Sequence, residues 1–388
     1  LYQAIAPYGR QHGLGSFVIW RDHDLMWNSE KAIMKYGPEP YPHAVKPVRS
    51  PHIRYVTLNN HLKNQLEQWC DHQVQVEVRK NTYDFDRQGT YRNIREGLDI
   101  RDSDVLIART TRIIPQKRQD RDIWLVYRLN QLFAQSGSGR KVYLVVAGDP
   151  QEHPAYFAAL NEQVRELNIE PFVKFIGSLS HACMPSKQNA ITIEDLYGSC
   201  DLVSFLTSWG YDSYGNPIGE SISNQRCYIT TRYEYYQEVY GRHGFEAPIM
   251  NISQTNDGLP DEQFVDEVYR LLNDKLLMQD MARRNFAIGQ RVLANNVAGM
   301  LDLNEPGGTM RDTIFVSVVL PVYNERDRID SVLESLFQQQ TRDGLITHDS
   351  YELIIVDNNS SDDSVEKINA FRAVSYTHLR AHETRHDL

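Results

Sequence analysis

Lys141-Val-Tyr-Leu-Val-Val-Ala147 is apolar at almost every position and is followed by an amphipathic helical pattern over Ala155–Leu167. A strand with one solvated face alternates apolar and polar residues. One that does not alternate is covered on both faces, as strands of a parallel sheet between helices are. Outward from it, Asp104–Ala108 reads as a second such strand. Ile123–Gln135 reads as a helix carrying Ile123, Leu125, Val126, Leu129, Leu132 and Phe133. Strands at Val173–Ile176, Leu202–Leu206 and Tyr228–Thr230 alternate with helices at Ile193–Ser199 and from Pro217, and helices over Pro260–Asn273 and Lys275–Val292 close the series. This alternation predicts a Rossmann-like domain over residues 96–303.

Residues 1–95 give the same alternation more weakly: a helix Leu1–His12, a strand Phe17–Trp20, a strand Ile53–Leu58, a helix Asn60–Cys70 and a strand Gln75–Val78. They read as the second half of another α/β domain whose first strands are missing. Asn304-Glu-Pro-Gly-Gly-Thr309 carries turn residues expected of a linker, set at 304–313. A third unit, 314–372, starts with a buried strand in Val316-Ser-Val-Val-Leu-Pro-Val-Tyr-Asn-Glu325. It continues with a helix Asp330–Gln340 and a second strand in Tyr351-Glu-Leu-Ile-Ile-Val-Asp357. The fold class expected is α/β: two Rossmann-like domains, the first incomplete, followed by the first half of a further α/β domain.

The length of 388 residues allows two or three domains, and 41% hydrophobic with 10% aromatic residues is a globular composition. A net charge of −10 argues against a general nucleic-acid binder. No apolar run approaches the length of a spanning helix, so a transmembrane segment is not expected. Cys70, Cys183, Cys200 and Cys227 have no C-x-x-C spacing and read as reduced core residues of a cytoplasmic protein, free or held at the inner face of a membrane. Residues 373–388 share no pattern with what precedes them and resemble a translated sequencing-library adapter, so they are left out of the fold. They contain His382-Glu-Thr-Arg-His386, an H-E-x-x-H match that leaves no room downstream for a third ligand; a metal site is therefore not assigned.

Two stretches carry chemistry. Arg112-Ile-Ile-Pro-Gln-Lys117 sets two cations five positions apart just after an apolar strand. Ser208-Trp-Gly-Tyr-Asp-Ser-Tyr-Gly-Asn-Pro-Ile-Gly-Glu-Ser221 sets Asp212 and Glu220 eight positions apart across a Gly-rich turn that opens a helix. Asn216 suits the N-cap of that helix and Pro217 its first position. Carboxylates can grip sugar hydroxyls and fixed cations can hold a diphosphate, so the pair suggests a nucleotide-sugar site. Each cation at ~4 Å, at an effective dielectric near 20, supplies up to roughly 4 kcal/mol against a growing negative charge, before desolvation.

At these residues the chain resembles retaining glycosyltransferase family 4, of the GT-B fold. Its R-x4-K pair is matched by Arg112 and Lys117, and its E-x7-E motif by Asp212 and Glu220, with Asp in place of the first Glu. Residues 1–305 fit the pattern. Thr111–Lys117, Tyr211–Asn216, Arg232-Tyr233, Gly244-Phe245, His23-Asp24 and Val78–Phe85 are most similar to the mannosylglucosylglycerate synthase branch. The resemblance implies that Glu220 binds the ribose hydroxyls. It also implies that Asp212 and the backbone near Tyr214, Gly215 and Asn216 hold sugar and phosphates, that Arg232 lies on the substrate side, and that His23 bonds the donor sugar. The substrates implied are a UDP- or GDP-linked hexose and a hydroxyl acceptor (a small glycoside, polysaccharide or glycolipid precursor), with no cofactor.

Residues 314–372 resemble the start of a family 2, GT-A glycosyltransferase. Its nucleotide-binding segments are matched by Leu320–Glu325, with Pro321, Tyr323 and Glu325, and by Val356–Asp362, with Asp357. In the second segment Asn358 replaces the usual second acid. The resemblance implies a divalent metal only for a complete domain of this kind, because its D-x-D and catalytic base would lie downstream. This half domain is expected to be inert and the chain as it stands poorly active. Two other functions stay open: a GT-B sugar-nucleotide epimerase, and a non-catalytic nucleotide-sugar-binding module.

Overall fold

The computed structural model describes residues 18–22, 47–49, 53–86, 91–181, 191–294, 316–322, 324–337, 351–357, 360–374 and 379–383. The expected helix Leu1–His12, the linker 304–313, His23, Cys183 and Tyr323 lie outside them. Among the described residues no helix is long and apolar enough to cross a membrane.

The first unit is a parallel sheet of β1 (Val18–Asp22), β2 (Ile53–Thr57) and β3 (Val76–Val78), with α1 (Asn60–Trp69) between the last two strands. Asn59 caps α1, its side chain accepting from Leu62 N at 2.9 Å, and the helix buries Leu62 and Leu66.

The central unit is a six-stranded, all-parallel sheet built from β4 (Val105–Arg109), β5 (Val142–Val146), β6 (Val173–Phe175), β7 (Leu202–Phe205), β8 (Cys227–Thr231) and β9 (Ile249–Met250). Their order is β6-β5-β4-β7-β8-β9. Every residue of β4 is buried, but alternate residues serve different cores. Val105 and Ile107 join Val142, Leu144 and Val146 against α2 (Gln119–Gln135) and α7 (Glu262–Asn273), while Leu106 and Ala108 join Val145, Tyr197, Val203 and Phe205 on the other face. Two apolar faces explain the missing alternation; each fully buried aliphatic side chain contributes about 1.5–3 kcal/mol. Helix α2 starts at Gln119, earlier than Ile123, because its first turn is buried through polar groups that apolar periodicity does not register.

α3 (Pro154–Glu166), α4 (Ile193–Ser199), α5 (Asn216–Ser223), α6 (Tyr236–Val239) and α8 (Lys275–Val292) complete this unit. The chain after α8 returns to the first unit, where Leu293 O accepts from Tyr83 N at 2.8 Å. The second core cluster is shared: Ile53, Tyr55 and Leu62 of the first unit pack in one body with Leu196, Ile218 and Tyr233.

The third unit is a parallel sheet β10 (Val316–Val322), β11 (Tyr351–Asp357) and β12 (Leu379–Glu383) with α9 (Ile329–Phe337) and α10 (Ser364–Val374). Val322, Ile329, Leu333, Ile355 and Ile368 form its core. Pro321 is tolerated because, among the described strands, β10 is at the edge of its sheet. Strand β12 falls inside the tail left out of the fold from sequence. Leu379-Arg-Ala-His-Glu383 has little strand propensity of its own, and its pairing is to the side of β11 that β10 leaves open. The backbone at His382 and Glu383 is strand, not the helix an H-E-x-x-H zinc site requires.

At Gly289 of α8 an added Cβ would lie 2.6 Å from Phe85 Cζ and 2.7 Å from Ile222 Cγ2. Gly289→Ala is predicted to lower stability by about 1–3 kcal/mol in urea denaturation; an unchanged midpoint would contradict this packing.

Candidate active site

The chain winds outward from β4 through β5 to β6, then starts again beside β4 and runs through β7 and β8 to β9. The order reverses between β4 and β7, and the crevice beyond the carboxyl ends of such a pair is where open α/β sheets bind ligands. The Arg112–Lys117 stretch leaves the end of β4, and Ser208–Gly215 leaves the end of β7. The topology therefore brings together the two stretches singled out in the sequence.

Their contacts are direct. Gln116 O accepts from Ser208 N at 3.1 Å and from Thr207 Oγ1 at 3.3 Å. Lys117 Nζ pairs with Asp212 Oδ1, while Thr207 Oγ1 donates to Asp212 Oδ2. Both partners are largely buried, with 13% and 11% of their side chains exposed, so this pair is shielded from the screening that weakens surface pairs. The ammonium also lies 5.1 Å from the Tyr211 ring and 5.7 Å from the Phe205 ring. Arg112 is exposed and pairs with Glu152, which holds its guanidinium more firmly protonated. Arg232, exposed at the end of β8, donates to Asn251 Oδ1 at 3.0 Å.

Beneath both loops lies Arg109, fully buried. It donates to Lys117 O, to Ser204 O at 3.1 Å and to Thr111 Oγ1 at 3.1 Å, and it pairs with Asp122 at 3.5 Å. The strand expected from sequence stops at Ala108, whereas β4 runs on to Arg109; a charge directly after an apolar run was the available signal.

The head of α5 differs from the expectation that Asn216 caps it. Gly215 occupies the cap at φ +86°, and Asn216 Oδ1 instead accepts from Asn81 Nδ2 at 2.7 Å and Tyr83 OH at 3.0 Å. Two donors from the first unit outcompete the helix amides for that oxygen. Tyr214 OH reaches back to Asn81 O at 3.0 Å.

Asn216 and Glu220 line a cavity of about 1330 Å³, walled by Arg21, Asn81 and Tyr83 of the first unit and by His181, Glu194 and Tyr197 of the second. Arg112, Lys117 and Asp212 are not on that wall. They connect to it through Tyr214–Asn216 and through Thr110, whose hydroxyl meets Tyr197 OH at 2.6 Å. Tyr197 OH donates to Glu220 Oε2 at 2.6 Å, so Thr110 donates to Tyr197. Burial pushes the Glu220 carboxyl up, against the Tyr197 hydrogen bond and His181; Glu194 adds to the rise. Arg21, Tyr197 and Glu194 were not singled out in the sequence, since an isolated Arg, Tyr or Glu has no spacing to mark it.

In the third unit, the loops after β10 and β11 are tied together. Glu325 N donates to Ser364 Oγ at 2.8 Å, Asn324 N donates to Ser360 Oγ at 2.8 Å and Arg326 N donates to Asp362 Oδ2 at 3.1 Å. Pro321 pairs with Val356 in register, and Asp357 ends β11. Among the described residues no group of His, Cys, Asp and Glu is arranged to hold a metal ion.

Residues 317–385 match glycosyl transferase family 2. No curated protein matches the chain in sequence. Among solved structures, the chain is similar to a glycosyltransferase from Rickettsia africae (15% identity, TM-score 0.52, covering 78% of each chain). It is also similar to HepE of Anabaena in complex with UDP and glucose (14% identity, TM-score 0.54, covering 78% of this chain and 74% of that one). A third likeness is to WaaG, a glycosyltransferase involved in lipopolysaccharide biosynthesis (12% identity, TM-score 0.53, covering 79% and 82%). At these identities the likeness shows the fold: paired α/β, Rossmann-like units of the GT-B type.

Because the folded carboxyl of Glu220 is raised, the native chain binds that proton more tightly than the unfolded chain, and stability falls as pH rises through the raised value. Glu220→Gln is predicted to melt higher than the parent at about pH 8 and to lose that advantage near pH 4. An equal difference at both would contradict the burial of an acid here.

Proposed function

We propose that the chain is a retaining glycosyltransferase that moves a hexose from a UDP- or GDP-linked donor to a hydroxyl acceptor. The observation that carries the reading is the convergence of Arg112–Lys117 and Ser208–Gly215 at the β4/β7 switch point, with Lys117 seated on Asp212. HepE was captured with UDP and glucose, which fits this reading.

In this reading the diphosphate rests on Arg112 and Lys117, Asp212 with the Tyr214–Asn216 backbone holds the sugar, and Glu220 in the cavity accepts from the ribose hydroxyls. The anomeric C–O bond breaks with its electrons leaving on the diphosphate. The acceptor oxygen bonds to the same face, and its proton passes to a diphosphate oxygen. The two cations meet charge that exists in full only as the bond breaks, so they stabilise the transition state more than the ground state. Asp212 keeps Lys117 paired before the donor arrives, which spares the cost of an unpaired buried charge. Arg232 and His23 belong to the proposal as donor-side residues through the family 4 resemblance; Pro321, Tyr323, Glu325 and Asp357 belong instead to the nucleotide-binding segments of the third unit, through its family 2 resemblance.

The test is transfer of radiolabelled hexose from UDP- and GDP-sugars by the protein. Arg112→Ala and Lys117→Ala are each predicted to lower kcat/KM by about 10²-fold or more. Undiminished transfer by Arg112→Ala would defeat the assignment, and nucleotide binding with no transfer by the parent would favour a binding module.

A further inference from the structure

We propose that Tyr233 and Tyr240 are positioning residues for the donor's diphosphate, acting through the carbonyl groups of the loop that carries Asp212. The inference rests on the nucleotide-sugar reading and deepens it by naming what orients the backbone on which that reading depends.

Three consecutive carbonyls of this loop are taken by side chains from outside it. Asn59 Nδ2 donates to Ser213 O at 2.9 Å, Tyr233 OH to Tyr214 O at 2.5 Å, and Tyr240 OH to Gly215 O at 3.0 Å. In a trans peptide the C=O and N–H point in opposite directions. Fixing these carbonyls turns the amides of Tyr214, Gly215 and Asn216 away from their tyrosine and asparagine anchors. None of these three amides has a protein acceptor among the described residues; Tyr214 and Gly215 are buried, where backbone groups are almost always paired.

Tyr233 also reaches the cationic side. Its ring meets Phe205 edge-on, with centroids 5.7 Å apart, and Lys117 Nζ sits 5.7 Å from that same Phe205 ring. A Cβ at Gly215 would lie 2.6 Å from Tyr233 OH and 3.0 Å from Phe205 Cε1, so the backbone there is seated directly on both rings. One aromatic floor therefore sets the loop amides and the ammonium relative to each other. Packing alone does not require this: Tyr228 and Tyr236, buried in the same cluster, satisfy their hydroxyls with each other at 3.1 Å.

The experiment is isothermal titration of the full chain with UDP and with GDP, alongside thermal melting. It compares the parent, the Tyr233→Phe/Tyr240→Phe double variant, and Tyr228→Phe as a control that also loses a buried hydroxyl. The double variant is expected to bind the preferred nucleotide about tenfold more weakly or worse, from loss of two oriented donors. Tyr228→Phe is expected to stay within about twofold while its melting temperature falls comparably. Parent-like affinity in the double variant, or an equal loss of affinity in Tyr228→Phe, overturns the positioning role alone. A parent that binds neither nucleotide overturns the nucleotide-sugar reading with it.

Discussion

The guanidinium of Arg109 is the constraint on which the central unit depends. It ends β4, yet it bonds the carbonyls of Ser204 in β7 and Lys117 in the cationic loop, and it faces Asp122 at the start of α2. Four segments meet on one planar group with no access to water. A buried pair of this kind adds little beyond an apolar substitute, but removing one partner strands the other, at about 3–5 kcal/mol. Burial pushes the Asp122 carboxyl up, and Arg109 opposes that rise. The arrangement is better understood as fixing geometry than as adding stability: with Ser204 and Lys117 held by one rigid fork, the two loops cannot drift apart.

From that anchor the site follows in steps. Gln116 O ties the loops at Ser208 and Thr207; Thr207 and Lys117 each take one oxygen of the Asp212 carboxylate. The loop then turns at Gly215, where a positive φ is needed, and enters α5 under Tyr83 and Asn81 of the first unit. The first unit is thus more than a neighbour. Through Asn59, Asn81 and Tyr83 it shares in shaping the segment that the nucleotide-sugar reading assigns to the donor.

Much of this was legible in the sequence because it rests on local pattern. The unbroken apolar runs of β4 and β5 identify a doubly covered parallel sheet, and the spacing of Arg112 with Lys117 and of Asp212 with Glu220 isolates the two loops that do meet. What escaped has one physical character: it depends on long-range pairing. Arg109, Tyr197 and Tyr233 act on partners about 20 to 95 positions away, Ser204 O for Arg109 among them. Asn216 reads as a cap until two donors from the first unit claim its side chain. Strand β12 has no periodicity to reveal it and takes its conformation from the edge of β11. In the reverse direction, the four charged residues do not share one wall as the motif spacing suggests; Glu220 lines the cavity, while the other three are linked to it through intervening loop residues.

The central claim, that a nucleoside diphosphate lies across the β4/β7 switch point, is tested most directly by a crystal structure of the chain with UDP or GDP bound. The account predicts phosphate oxygens within about 3 Å of Lys117 Nζ and of the backbone amides at Gly215 and Asn216, with the ribose at Glu220. Phosphates bound elsewhere, with Lys117 still closed on Asp212, would contradict it.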